Sequence, residues 1–355
     1  MKKYLKEFKD NFGLARIIIL GFFIFLCVAA IFLELDIAEL LTSSMGRIGM
    51  WGILVLAMLP AIQSGIGPNF GVSLGILCGL IGSLSSLEIA YRLGDSFQVS
   101  GGVLFIIAIL FSLPFAILVG WVYGWLLNRV KGSEMMIATY VGFSMVSIMS
   151  IAWLVLPFDS PEMAWPIGRG VRVQISLANR GITRILDNFL AFEIGEVIVP
   201  TGLFLFFGLM CFLVWMFMRS QSGIAMKAAG SNPRFAEAAG INVNKYRIIG
   251  TILSTALGAI GILVYAQSYG FIQLYQGPMF MPFVAVAAVL IGGASIKKAS
   301  ITHVIIGTIL FLGIQVVAVP VANAFTADWS SMGEISRKII QNGVILYALA
   351  QARGE

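Results

Sequence analysis

Charged side chains are scarce in this sequence of 355 residues. Asp, Glu, Lys and Arg make up 11% of it, whereas a soluble domain typically carries about 25%. Hydrophobic residues make up 59%, and no long hydrophilic stretch interrupts them. This composition excludes a sizeable soluble domain and predicts that lipid is the main solvent of the chain.

Histidine and cysteine are also rare. His303 is the only histidine, and Cys27, Cys78 and Cys211 all lie within apolar runs. They lack the spacing of a metal or redox site, and no combination of Ser, His and Asp suited to hydrolysis is present. The segment 292–300, GGASIKKAS, lacks the Gly-Lys-Ser/Thr ending of a phosphate-binding loop. We expect no metal site, no directly bound cofactor and no enzymatic activity.

Long apolar runs are abundant. A helix needs roughly 20 mostly apolar residues to cross the hydrocarbon core of a membrane. Ten runs approach this length: Ile17–Leu33, Ile48–Gln63, Pro68–Ser83, Val103–Leu127, Met135–Leu156, Val197–Met218, Ile248–Ser268, Pro282–Gly293, Ile301–Asn323 and Ile339–Ala350. The second, third and eighth are short, which predicts one or two short or broken spans. We expect an all-α polytopic membrane protein with about ten transmembrane helices in one domain, residues 1–355.

Basic residues predict the orientation of these spans. If the N-terminus is cytoplasmic and the spans alternate, most of the 23 Lys and Arg fall on the inner side. Residues 1–16, residues 219–247 and the C-terminus are then cytoplasmic, and residues 157–196 form a long external loop. Within it, ISLANRGITRILDNFLAF (175–192) mixes apolar and basic positions, which predicts a helix along the membrane surface.

Glycine recurs every fourth residue in the third run. These glycines are Gly67, Gly71, Gly75 and Gly79. On a helix they would form one smooth face that a neighbouring backbone can approach closely. Pro68 is suited to the first helical turn, so we expect a helix to start near Pro68 after a break at 63–67. Such a break is tolerated where it lines a cavity or is enclosed by protein, so this region is a candidate solute path, with plain helix packing as the alternative.

The predicted spans contain neutral polar groups but no acid or base well inside them. Ion- and proton-coupled carriers usually keep ionisable groups there, so their absence disfavours such a carrier. The neutral groups suit an uncharged, hydroxyl-rich solute held by hydrogen bonds and aromatic faces. The candidate residues of the translocation path are Gln63, Asn69, Phe70, Ser73, Thr139, Tyr140, Gln267 and Asn323.

One polar, basic segment, AMKAAGSNPRFAEAAGINVNKYR (225–247), interrupts the apolar second half of the chain. Asn232 is suited to cap a helix, Pro233 to begin it and Gly240 to end it. The helix, Arg234–Ala239, would have about two turns and would be too short to be stable alone in water. It either docks in a groove on a partner protein or is an incidental turn of a solvated loop.

This segment resembles the cytoplasmic-loop signature of permease subunits of ATP-binding-cassette (ABC) importers for simple sugars, nucleosides and branched-chain amino acids. The family pattern is Ala-x-Gly-x-Asn-Pro, a small-residue pair, then Gly-Ile-Asn-Val. The matching positions are Ala228, Gly230, Asn232, Pro233, Ala236, Gly240, Ile241, Asn242 and Val243. The segments LLNRVKGSEMMIAT, FVAVAAVLIGGASI and RKIIQNGVILYALA are also similar to the family, and the resemblance covers about residues 120–349.

The resemblance implies a transport subunit of the cytoplasmic (inner) membrane of a bacterium or archaeon. Two permease subunits, identical or paralogous, would lie over two cytosolic ABC ATPases that bind ATP and Mg. An extracytoplasmic solute-binding protein would deliver the solute and contact the Arg-rich external loop. The short helix would be the coupling helix that docks on the ATPase, with the residues Asn232, Pro233, Arg234, Phe235, Glu237 and Gly240.

One departure from the family bears on the solute. Sugar permeases of this family usually carry Gly-x-Asp-Leu-Ser-x-Gly near the first broken span, whereas this chain has GIGPNFG at 65–71. Asn69-Phe70-Gly71 is closer to the Asn-Ile-Gly of nucleoside-type permeases. A simple sugar is the first prediction and a nucleoside the second. An ion-coupled carrier that acts alone is the alternative from another class.

Overall fold

The computed structural model describes residues 14–93, 100–165, 170–325, 335, 338–339 and 342–343. Residues 1–13 of the predicted cytoplasmic N-terminus lie outside these described residues, and so does most of the predicted last span, Ile339–Ala350.

The described chain is built almost entirely from helices. In chain order they are α1 (Leu14–Phe32), α2 (Ile37–Leu56), α3 (Met58–Gln63), α4 (Ser73–Leu93), α5 (Gly101–Arg129), α6 (Glu134–Val155), α7 (Ile185–Asn188), α8 (Thr201–Arg219), α9 (Gln221–Ser231), α10 (Pro233–Ala238), α11 (Val243–Tyr269), α12 (Gln276–Ile291) and α13 (Ile301–Phe325). Four short strands accompany them: β1 (Gln174–Ser176), β2 (Phe192–Ile194), β3 (Val197–Val199) and β4 (Phe271–Gln273).

Among the described residues, seven helical segments are long and apolar enough to cross a membrane. In one of them α2 and α3 run on together, and α1 and α12 are shorter apolar helices. The predicted polytopic helical architecture is therefore confirmed, while the number of ten spans stays a prediction.

α2 is longer than its apolar run predicts. It begins at Ile37 rather than near Ile48, because the side chain of Asp36 accepts a hydrogen bond from the N–H of Glu39 (2.9 Å) and caps the helix. Arg47 consequently lies within α2.

A buried carboxylate lies within α4, which continues well past the predicted end of its run at Ser83. Glu88 accepts hydrogen bonds from Nε of Arg92 (2.8 Å) and from the main-chain N–H groups of Asp159 and Ser160 (both 3.1 Å). A helix can continue through a charged residue when neighbouring groups satisfy that charge. Glu88 lies near the end of α4 and beyond the predicted span, so it does not contradict the expectation that no acid or base lies well inside a span. That expectation is wrong at Arg47, which lies within the α2–α3 segment Ile37–Gln63.

The α2–α3 span ends in a glycine-dependent turn. The N–H of Gly65 donates to the carbonyl of Ile62 and the N–H of Ile66 donates to that of Ala61 (both 3.1 Å), which is a Schellman motif. Gly65 has a φ of +80°, a left-handed conformation that favours glycine. The predicted break after Gln63 is present.

α4 begins at Ser73, after a 3₁₀ turn at Phe70–Val72. The side chain of Asn69 accepts the N–H of Gly71 (3.0 Å) and caps this turn. The helical segment therefore begins two residues after Pro68, close to the predicted start, although Pro68 itself lies before the capping residue and not in the first turn.

α4 packs between α5 and α11 at the centre of the bundle, where 89% of its span is buried. Gly71 faces Tyr123 of α5, and Gly75 and Gly79 face the backbone of α11. An ideal Cβ built on Gly79 would lie 2.5 Å from the carbonyl oxygen of Ala259. Gly67, the first member of the predicted row, lies in the break with a φ of +90° and is not on the helix.

α11 connects the two ends of the bundle. It begins directly after α9 and α10 and ends directly before β4. We call the region around α9 and α10 the α10 end and the region around the four strands the strand end. There β1 pairs antiparallel with β4, with Gln174 opposite Gln273, and β2 pairs with β3, with Phe192 opposite Val199.

The predicted surface helix at 175–192 is wrong. This segment contains part of β1, a 3₁₀ turn at Ala178–Arg180, the four-residue α7 and the start of β2. Gly181 and Arg184 have φ values of +64° and +51°, and residues in this left-handed region end a right-handed helix. Pairing of β1 with β4 supplies the backbone hydrogen bonds instead.

Candidate functional site

α10 is a two-turn helix with a cap at each end. The side chain of Asn232 accepts the N–H of Phe235 (3.1 Å), and Pro233 occupies the first helical position. Gly240, with a φ of +80°, donates its N–H to the carbonyl of Glu237 (3.0 Å). The bounds predicted from the capping pattern are correct to within one residue.

α10 presents a large apolar side chain to its surroundings. Phe235 is 69% exposed, and Arg234 and Glu237 beside it are also exposed. Ala236 is buried in a small cluster with Ala229 of α9. The helix is thus held by a small residue on one side and is free to contact a partner on the other.

The break between α3 and α4 is enclosed by the segments that flank α10. An ideal Cβ built on Gly230 of α9 would lie 2.7 Å from the main-chain nitrogen of Gly65. One built on Gly250 of α11 would lie 2.5 Å from Cβ of Ser64. Such short distances favour glycine, so α9 is in direct backbone contact with the break and the backbone of α11 packs closely against the side chain of Ser64.

A buried ion pair joins the same elements. Arg247 of α11 is 6% exposed, and its guanidinium pairs with the carboxylate of Glu134 and donates to the carbonyl of Gly65 (3.3 Å). Glu134 also accepts the N–H of Gly132 (2.8 Å). One arginine therefore connects α11, the start of α6 and the break.

Asn69 is the polar centre of the break and is fully buried. Its Oδ1 accepts the hydroxyl of Tyr123 (2.9 Å) and the N–H of Gly71, and its Nδ2 donates to Oγ of Ser254 (2.9 Å). These bonds attach the break to α5 and α11. A predicted path residue is thus engaged by protein groups on three sides.

Three further predicted path residues lie around the break. Gln63 donates from Nε2 to the carbonyl of Ala299 (2.8 Å). The ring of Phe70 packs against that of Phe283, with centroids 5.3 Å apart. Ser73 is buried at the start of α4. With Asn69 they lie on either side of the point where the span is broken, and Gln63 is only partly buried.

The other predicted path residues do not join them in one site. Thr139 is partly buried and donates to the carbonyl of Met135 (3.0 Å), whereas Tyr140 is 63% exposed. Gln267 and Asn323 lie near the far ends of α11 and α13, at the strand end. The eight residues therefore divide between the break and the opposite end of the bundle.

A cavity of about 680 Å³ opens at the strand end. Its volume is in the range of small-molecule sites. Three aromatic rings form one wall: Trp51 meets Tyr265 edge-on with centroids 5.2 Å apart, and Tyr265 stacks on Tyr269 at 5.4 Å. Such faces suit the flat surface of a sugar or base ring.

Polar and charged groups complete this strand-end cavity. They include Ser43, Arg47, Arg184, Asp187, Gln273, Gln276 and Gln315. Asp187 is held in place because it accepts hydrogen bonds from Oγ of Ser268 (2.6 Å) and Nε2 of Gln267 (3.1 Å). Gln267, a predicted path residue, thus positions a cavity residue without lining the cavity itself.

None of the residues that line the strand-end cavity is among the eight predicted path residues. Arg47, Trp51, Asp187 and Tyr265 come from three distant segments, which only the tertiary packing brings together. One signal was available in the sequence. Arg47 directly precedes the apolar run that starts at Ile48, and a cation next to or within a membrane span often marks a functional site.

Three proteins of known role are similar to parts of this chain. The nucleoside ABC transporter permease protein NupC of Lactococcus lactis subsp. cremoris (strain MG1363) is 30% identical over 106 residues, 30% of this chain and 33% of that protein. The tyrosine transport system permease protein of Clostridioides difficile (strain R20291) is 28% identical over 148 residues, 40% of this chain and 50% of its own length. The autoinducer 2 import system permease protein LsrC of Shigella flexneri is 30% identical over 102 residues, 29% of each chain.

The chain therefore spans half or less of the length of these relatives. No solved structure matches it. The family model for the permease component of branched-chain amino acid transport systems matches residues 40–349, which is most of the sequence. The chain belongs to this family of transport-system permeases.

Proposed function

We propose that this chain is the membrane-spanning subunit of an ABC importer and forms the pathway for a small solute. One observation carries the proposal. α10, a capped two-turn helix with Phe235 69% exposed, lies between segments that contact the broken span directly. A partner that moves α10 would therefore move the backbone around the break.

The partner that fits this arrangement is a cytosolic ABC ATPase. ATP and Mg would bind to that subunit, and this chain would bind no cofactor directly. A second permease subunit, identical or paralogous, would complete the membrane domain, and an extracytoplasmic solute-binding protein would meet the strand end. The α10 end then faces the cytoplasm of a bacterium or archaeon, and both termini are cytoplasmic.

A simple sugar is the solute we propose first. The aromatic wall of the strand-end cavity and the amides of Gln273, Gln276 and Gln315 suit a ring that carries hydroxyl groups. The similarity to a nucleoside permease and to an autoinducer 2 permease supports a sugar-containing solute. A nucleoside is the second candidate, favoured by Asn69-Phe70-Gly71 and the first of these relatives.

Reconstitution tests this function. The chain is placed in proteoliposomes with the ATPase and solute-binding protein that co-purify with it, and solute uptake and ATP hydrolysis are measured together. Phe235→Ala should lower uptake per ATP hydrolysed while the subunit still inserts, because it removes the exposed apolar contact of α10. Ile224→Ala, which removes a second exposed apolar side chain of the same end, is the matched control.

Two results would contradict the proposal. If the chain alone carries solute down an ion gradient in liposomes without any ATPase, it is an ion-coupled carrier. If deletion of residues 234–239 leaves ATP-driven uptake intact, α10 does not couple hydrolysis to transport.

A further inference from the structure

The strand-end cavity carries more positive than negative charge. Arg47 and Arg184 line it, and Asp187 is the only carboxylate that lines it among the described residues. Among the described residues, no carboxylate oxygen lies within 4 Å of the guanidinium group of Arg47 or Arg184. Two cations thus face a cavity that holds a single acid.

Asp187 does not neutralise these cations by direct pairing. Each of its oxygens already accepts a hydrogen bond from a neutral group, Oγ of Ser268 or Nε2 of Gln267. The carboxylate is fixed to the last turn of α11. An anion that enters the cavity would therefore find both guanidinium groups available.

Arg184 is held in a costly backbone conformation. Its φ is +51°, in the left-handed region that side chains other than glycine rarely adopt. The main-chain N–H of Arg184 donates to the carbonyl of Gln267 (2.8 Å), and its carbonyl accepts the N–H of Asn188 (2.9 Å). Strained residues that the surrounding structure holds in this way cluster at functional sites.

Arg47 is a half-buried cation within a helix that spans the membrane. It lies one turn before Trp51, the first ring of the aromatic wall. Unpaired cations in such helices are rare and mark solute or ion paths. Arginine also suits carboxylate and phosphate groups, because its planar fork can donate two parallel hydrogen bonds.

We infer that the strand-end cavity binds a ring-bearing solute that carries an anionic group, a carboxylate or a phosphate. Arg47 and Arg184 bind the anion, and the ring lies against Trp51, Tyr265 and Tyr269. The inference rests on the proposed function, since it names the class of solute that enters the pathway. It narrows the sugar proposed above to one that carries an acid or phosphate group, and it departs from the uncharged solute that the sequence predicts.

Binding of matched solute pairs tests the inference. The full chain is placed in nanodiscs of phosphatidylcholine, and dissociation constants are measured by saturation-transfer NMR for glucuronate against glucose and for ribose 5-phosphate against ribose. The members of each pair differ in their anionic group. We expect at least one anionic member to bind about tenfold more tightly than its neutral counterpart.

Variants assign the effect to the two arginines. Arg47→Gln and Arg184→Gln should each weaken binding of the anionic member by about tenfold and leave the neutral member unchanged. Arg47→Lys should retain part of the preference because it keeps the charge. Arg172→Gln, on the same end but outside the cavity, is the control and should change neither.

Several outcomes would overturn the inference. These are equal binding of both members of each pair, a preference that survives both Gln variants, and no detectable binding of any probe. The same holds if phosphatidylglycerol in the nanodisc competes away all solute binding, because the anion would then be a lipid headgroup. ATP-driven uptake in proteoliposomes is measured separately, so the proposed function can fail or stand independently of this result.

Discussion

Gly79→Ala is the sharpest test of the packing at the centre of the bundle. An ideal Cβ at this position would lie 2.5 Å from the carbonyl oxygen of Ala259 in α11, against an ordinary contact of at least 3.4 Å. A methyl group of Ile262 lies nearer still, but the backbone of Ala259 cannot rotate away, so α4 and α11 would have to separate by about 1 Å. Overpacking of this kind costs roughly 1–3 kcal/mol. We expect a lower midpoint of thermal unfolding in detergent, followed by circular dichroism.

Gly208→Ala is the matched control for this variant. Gly208 lies in α8, also a predicted span, and no heavy atom lies within 4 Å of its ideal Cβ. Alanine should therefore be tolerated there without loss of stability. If Gly79→Ala unfolds at the same temperature as Gly208→Ala, the close approach of α4 and α11 is refuted, and with it the packing role of the glycine row.

Three further predictions concern polar groups near the α10 end. Arg247→Met should destabilise the chain by roughly 3–5 kcal/mol in urea unfolding, because it leaves the carboxylate of Glu134 without its cation. Adding Glu134→Gln should restore part of this stability. A double variant that is no more stable than Arg247→Met alone would contradict an ion pair between Arg247 and Glu134. Tyr123→Phe should cost about 1 kcal/mol and Asn69→Leu more, since the first removes one buried hydrogen bond and the second removes three; equal effects in the same assay would contradict this order. Asn232→Ala should cost about 1 kcal/mol locally through loss of the α10 cap; hydrogen exchange should quicken in α10 and stay unchanged in α11.

Local chemistry made some elements predictable. Asn232, Pro233 and Gly240 are within eight positions of each other, and capping depends only on such neighbours, so the bounds of α10 follow from the sequence. The break after Gln63 follows in the same way from Gly65. The apolar runs likewise predict helices, because in lipid the backbone must satisfy its own hydrogen bonds.

Other elements were beyond local reasoning. The extension of α4 past Ser83 depends on main-chain groups of a distant loop that satisfy Glu88. The surface segment 175–192 has a mixed pattern that fits a helix, but β4 supplies a pairing partner almost a hundred residues later in the chain. Partners at such separations leave no local pattern.

The sequence by itself determined that this chain is a helical membrane protein of the permease family, with a broken span and a short polar helix between apolar ones. These properties depend on composition and on neighbouring residues. Only the tertiary structure decided that the break touches the segments around α10, and that Arg47, Arg184 and Asp187 line one cavity with an aromatic wall. The reason is that a binding site depends on the distances between side chains that are far apart in the sequence, and the packing of α2, α7 and α11 sets those distances.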